Sequence, residues 1–78
     1  MVYRIVKSYR EDGYYSIGKF SNDISISYVL RTNDKWNIRS STRIKYYPSE
    51  NDAKKWLKEY FKKYPKEFAE HIASKILA

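Results

Sequence analysis

At Pro48-Ser49 the spacing of apolar residues changes from every second position to a helical rhythm, and this switch limits the folds open to the chain. Before it, residues 2–9 (VYRIVKSY) are rich in β-branched and aromatic side chains and read as a first strand. Glu11-Asp12-Gly13 supplies a turn, Asp-Gly being a strong short hairpin signal. Residues 14–20 (YYSIGKF) read as a second strand, with Gly18 a bulge or a point of close backbone approach. After Ser21-Asn22-Asp23, residues 24–31 (ISISYVLR) alternate most cleanly. Ile24, Ile26, Tyr28 and Leu30 take one face, and Ser25, Ser27, Val29 and Arg31 take the other. Beyond the turn at residues 32–35, Trp36, Ile38, Ile44 and Tyr46 share one parity and Asn37, Arg39, Arg43 and Lys45 the other. Residues 36–47 fit either one long bent strand or two short strands around a turn, the shared parity favouring one.

After the switch, Ser49 is a good N-cap, and Asp52 resembles the acidic arm of a capping box. Ala53, Trp56, Leu57, Tyr60, Phe61 and Tyr64 recur at helical spacing, which predicts helix one over residues 49–64. Pro65 cannot continue that helix but suits the first turn of the next. Phe68, Ala69, Ile72, Ala73, Ile76 and Leu77 then form the stripe of helix two over residues 65–78. The expected fold is α+β: one domain over residues 1–78, with an antiparallel meander of three to four strands (1–47) followed by two amphipathic helices on one sheet face. Its core is expected to join Ile26, Tyr28, Trp36, Ile38, Trp56, Leu57, Phe61, Phe68 and Ile72. The other sheet face is left to solvent or a partner.

A chain of 78 residues has room for one core only, and that core has no disulfide or thiolate site to reinforce it because cysteine is absent. A reducing, cytoplasmic compartment is the natural expectation. No apolar run approaches the roughly 18 residues of a membrane span, and the N-terminus reads as a strand rather than a signal peptide, so no membrane partner is expected.

The residues that carry chemistry are sparse. His71 is the sole histidine and lies off the apolar stripe of helix two, where a solvent-exposed ring is expected. One histidine without cysteine makes neither a metal cluster nor a nucleophile-base pair. The carboxylates fall in turns and on helix surfaces, and two glycines cannot build a phosphate loop. The sequence therefore points away from an enzyme, a cofactor, a metal or a small-molecule substrate, and towards a binding module.

Charge suggests what is bound. Sixteen Lys and Arg face nine Asp and Glu, a net +7, with +5 of it in residues 1–49. A domain of this balance suits a polyanion or an acidic protein surface. Two surfaces stand out. One is the polar face of the sheet, where Arg31, Asn37, Arg39, Arg43 and Lys45 suit phosphate and base-edge contacts. The other is the lysine face of helix one, with Lys54, Lys58 and Lys62 in line at i, i+4 and i+8, and Glu59 with Lys63 a favourable pair. Exposed tyrosines such as Tyr14, Tyr15 or Tyr47 could stack on unpaired bases.

The element order and basic sheet resemble the small sheet-reading DNA-binding domains of phage integrases and plant AP2 factors, although no motif matches residue by residue. The first reading is therefore nucleic-acid binding, to DNA or RNA, through the basic sheet face. The second is an inhibitor or adaptor that blocks a host nucleic-acid-handling protein complex. Compact, cofactor-free proteins of this size resemble phage- or plasmid-encoded antagonists such as anti-CRISPR proteins. The third is a structural or oligomer-forming module. Oligomeric state is not encoded in any pattern of the chain.

Overall fold

The computed structural model describes residues 1–8, 13–38 and 43–77, residues 75–77 by backbone only. Four strands, β1 (Val2–Lys7), β2 (Tyr15–Phe20), β3 (Ser27–Leu30) and β4 (Trp36–Asn37), precede two helices, α1 (Glu50–Lys63) and α2 (Pro65–Leu77). The strands form one antiparallel sheet in sequence order, and both helices pack on it, as the α+β reading expects. The proposed turn residues Glu11 and Asp12 lie outside the described residues; Gly13 beside them has φ +81°.

Register fixes which side chains meet the helices. Tyr3 opposes Lys19 and Ile5 opposes Ile17 across β1 and β2, and Lys19 opposes Tyr28 across β2 and β3. With Leu30 these residues form the inner face, because successive side chains alternate. Ile17, Leu30 and Ala53 are fully buried at the centre, with Ile5, Trp36, Tyr47, Trp56 and Leu57 packed around them. Alanine at position 53 lets α1 approach the sheet closely. Val2, Arg4, Val6, Ser16, Phe20 and Val29 fall on the outer face. There Phe20 lies across Gly18 so closely that a Cβ at 18 would come within 2.7 Å of its ring, so Gly18 is a point of close approach.

The strand predicted over residues 24–31 begins only at Ser27. Asp23 explains the shortening. Its carboxylate accepts from Ser21 Oγ at 2.8 Å, Ser25 Oγ at 2.7 Å and Ser25 N–H at 3.1 Å. This local network folds residues 21–26 into a turn and leaves Ile24 at φ +62°, where a β-branched residue is rare. Ile24 and Ile26 are consequently exposed and outside the core. The same hydrogen bonds, those from Ser25 and Ser21 foremost, lower the Asp23 carboxyl from its ordinary value to about 2. A depressed carboxyl supports the turn above the unfolded pKa, and that support fades as pH falls through the folded value. Carboxyl-carbon NMR titration should therefore place the Asp23 midpoint near 2, and Ser25→Ala should move it upward. A midpoint in the ordinary aspartate range for the wild type would show that the network does not persist in solution.

Residues 36–47 do not form one strand. β4 pairs with one edge of β3, Leu30 opposite Trp36, while Arg31 bridges Ile44 on the other edge and Tyr15 of β2 bridges Tyr47. Lys45 N–H donates to Leu30 at 3.0 Å, and Tyr15 and Tyr47 exchange two bonds of 2.8 and 2.7 Å. Thus β2 and β3 diverge beyond Gly18 and Val29, and the returning segment fills the gap between them. Having crossed to the far edge of β3, the segment no longer keeps the parity of β4: Lys45 and Tyr47, rather than Ile44 and Tyr46, face the helices. Ile38 is exposed.

The cap of α1 forms as expected. Ser49 has extended backbone (φ −144°, ψ 157°), and its Oγ accepts the Asp52 amide at 3.2 Å, a contact of about 0.5–2 kcal/mol. Helix α2 departs from expectation. His71 and Ser74 are buried, while Phe68 and Ile72, with Ala69 and Ala73, are exposed; the side chains of Ile76 and Leu77 lie outside the described set. Tyr3 explains this rotation. Its N–H donates to His71 Nδ1 at 3.0 Å, and its hydroxyl donates to Glu67, one turn earlier on the same helix face. Two polar groups of β1 are met by two polar side chains of α2. The His71 ring also stacks on Phe61, with centroids 5.4 Å apart, so this histidine is a docking residue and not a solvated one.

Candidate binding surface

The structure distributes the expected site residues over several surfaces. Arg31 is half-buried, and its Nε is enclosed with no hydrogen-bond partner among the described residues. Asn37 is half-buried on β4. Arg39 lies outside the described residues. Arg43 is exposed at φ +58°, its carbonyl accepting from Thr32 N–H at 2.9 Å. That bond places Arg43 beside the β3–β4 turn, which also carries exposed Lys35.

Lys45 is turned the other way. Its ammonium is 2.6 Å from Asp34 and lies over the Tyr47 and Trp56 rings, 5.5 Å from each centroid. Burial works against the charge, but the Asp34 carboxylate and the Tyr47 oxygen together outweigh it and hold Lys45 above the ordinary lysine value. Burial pushes the Tyr47 phenol up, and the Lys45 charge offsets part of that rise; its oxygen makes no hydrogen bond of normal geometry among the described residues. Lys19 is likewise engaged from the inner face, 5.3–5.8 Å from the centroids of Trp36, Tyr28 and Tyr3. Two cations of the sheet region are thus used within the fold, each ring contact contributing about 0.5–2 kcal/mol.

On α1, Lys54, Lys58 and Lys62 are all exposed, as the helical spacing predicts. Lys54 stands 3.7 Å from Glu50, and Glu59 pairs with Lys62 at 3.4 Å instead of with Lys63. Such exposed pairs contribute roughly 0–1 kcal/mol and are easily exchanged for another anion.

Sequence reasoning passed over a groove between the β3–β4 turn and the C-terminal half of α1, lined by Asp34, Trp56, Glu59, Tyr60, Lys63 and Tyr64. Trp56 and Tyr60 are stacked 5.1 Å apart at 16°, and Tyr64 follows 4.8 Å from Tyr60. The i, i+4, i+8 spacing of these rings was visible in the sequence, but it reads equally as core. Only the end ring, Tyr64, is half exposed, at 50%. The groove thus has an aromatic floor, with Lys35 following Asp34 on one bank and Lys63 on the other.

Among the described residues no three His, Cys, Asp or Glu side chains converge where a metal ion could be held, and no helix is long and apolar enough to cross a membrane. Burial and the hydrogen bond to Glu67 push the Tyr3 phenol far above its ordinary value, so it remains a donor in this cluster. Compared with protein-family models, with curated proteins and with solved structures, the chain matches none.

Proposed function

We propose that this chain is a non-enzymatic basic module that binds nucleic acid across the groove between the β3–β4 turn and α1. One observation supports this above the rest. Lys35, Arg43, Lys55, Lys58, Lys63 and Lys66 are exposed and have no carboxylate partner among the described residues. Such cations retain their attraction for phosphate and release condensed counterions on binding. Lys63 lines one bank of the groove, and Lys35 follows Asp34 in the turn that forms the other, with Arg43 hydrogen-bonded beside that turn, so a backbone crossing it meets positive charge on both sides. The reading moves the expected interface from the open sheet face to the end of the sheet and its junction with α1.

Affinity should fall steeply with salt, by about 0.9 logarithmic units per duplex phosphate contact and about 0.7 per single-strand contact. Replacing Lys35 and Lys63 by Ala should flatten the duplex slope by about 1.8 units. Replacing Arg4 and Lys7 on β1, at the far edge of the sheet, removes the same formal charge and should flatten it less. Equal losses would mean diffuse attraction without a site. Absence of binding at about 50 mM salt, where non-specific attraction is strong, would end the nucleic-acid reading.

A protein target is the second reading, favoured by the exposed Phe68 and Ile72 on α2. Nuclease-resistant recovery of one host complex, abolished by Phe68→Ser with Ile72→Ser, would put the inhibitor or adaptor role first.

A further inference from the structure

We propose that the aromatic groove selects unpaired nucleobases, so that the module prefers single-stranded over duplex nucleic acid; the inference rests on the nucleic-acid reading above. Trp56, Tyr60 and Tyr64 form a continuous series of rings along one line of α1. Trp56 is already engaged by Tyr60 and by the Lys45 ammonium. Tyr64 ends the series with half its surface open. A further flat ring added to the series would rest against Tyr64.

The charges of the groove decide what kind of ring. A floor of aromatic side chains beside two carboxylates could also suit a cationic guest. Here, however, Asp34 is bound to Lys45 at 2.6 Å, and Glu59 is paired with Lys62 at 3.4 Å. Lys63 has no carboxylate partner among the described residues. Counting these five groups, the groove is left with one positive charge. A cation would have to displace a lysine, Lys62 from its exposed pair with Glu59 more readily than Lys45, which Asp34 and two rings hold. A base carrying phosphate meets Lys63 directly and leaves both existing pairs intact. In a duplex each base face is covered by its neighbours, so only an unpaired base can present its ring to Tyr64.

The test uses the full chain, a fluorescein-labelled 15-nucleotide oligothymidine and a 15-base-pair duplex, with anisotropy read at about 50 mM salt. Wild type should bind the single strand more tightly than the duplex. Tyr64→Ala should weaken single-strand binding by about tenfold, the usual effect of losing one stacking ring, and change duplex binding by less than about twofold. Tyr64→Phe, which keeps the ring, should behave as wild type. Because the side chain is half exposed and its cap role is a backbone bond to Tyr60, the thermal midpoints of both variants should stay near that of the wild type. An equal loss on duplex and single strand, no loss on either, or wild-type preference for duplex would overturn the stacking site while leaving nucleic-acid binding in place. A wild type that binds neither probe would overturn both.

Discussion

Tyr3→Ala is expected to cost about 3–5 kcal/mol, a large part of the roughly 5–15 kcal/mol that holds a domain folded. Tyr3 is 3% exposed, and its ring meets Trp36, Tyr60, Phe61 and His71 at centroid distances of 5.0–5.9 Å. It thereby ties β1 to β4 and to both helices. Truncation removes these contacts together, and the surrounding rings are too rigid to close the space. The hydroxyl can be separated from the ring. Tyr3→Phe keeps the packing but leaves the Glu67 carboxylate without its donor, at about 1–3 kcal/mol. Urea melts followed by circular dichroism read both effects. A Tyr3→Ala variant within about 1 kcal/mol of wild type would mean that α2 does not dock on β1 through this residue.

Leu30→Ala should be almost as damaging, at about 2–5 kcal/mol. Leu30 is fully buried where the sheet divides. β4 lies along one edge of its strand and the segment containing Lys45 along the other, both joined to it by backbone hydrogen bonds. Neighbours held in this way relax little into a cavity, which places the cost in the upper half of the range. Val29→Ala supplies the comparison. The side chain next in sequence points to the outer face and is half-buried, so roughly 1 kcal/mol is expected. Equal costs at the two positions would show that the outer face is covered as well as the inner one.

The sequence made the order of elements legible, along with the end of the sheet at Pro48, the Ser49 cap and the apolar line of α1. Each of these depends on local patterns: alternation, one capping hydroxyl, or spacing along one helix. Three features depend on partners distant in the chain and were not legible. The strand over residues 24–31 was shortened because Asp23 offers the backbone local hydrogen bonds that compete with the ladder. Residues 43–47 lost the parity of Trp36 because they crossed to the opposite edge of β3. His71 turned inward because the amide and hydroxyl of Tyr3, 68 and 64 positions away from their partners, require polar groups on α2. The same non-local packing limited the view of the candidate interface. Lys45 looked like a sheet-face cation, yet it serves Asp34 and Trp56, whereas the groove beside it needs α1 and the β3–β4 turn to meet.

The bond from Tyr3 to His71 also bears on how the protein behaves at high concentration. β1 is the terminal strand of the sheet, and an amide of such a strand that is not bound to its neighbour is a place where a strand of another molecule can attach. Tyr3 directs its N–H to the imidazole near the N-terminal end of that margin, with α2 packed on the strand. At the opposite margin β4 is only two residues long, which is too short to template a lasting intermolecular pairing. A ring that looks like a surface histidine in the sequence therefore occupies an outward amide on the long side of the sheet and makes recruitment there harder. Crowded copies can then lie side by side with less tendency for their sheets to join.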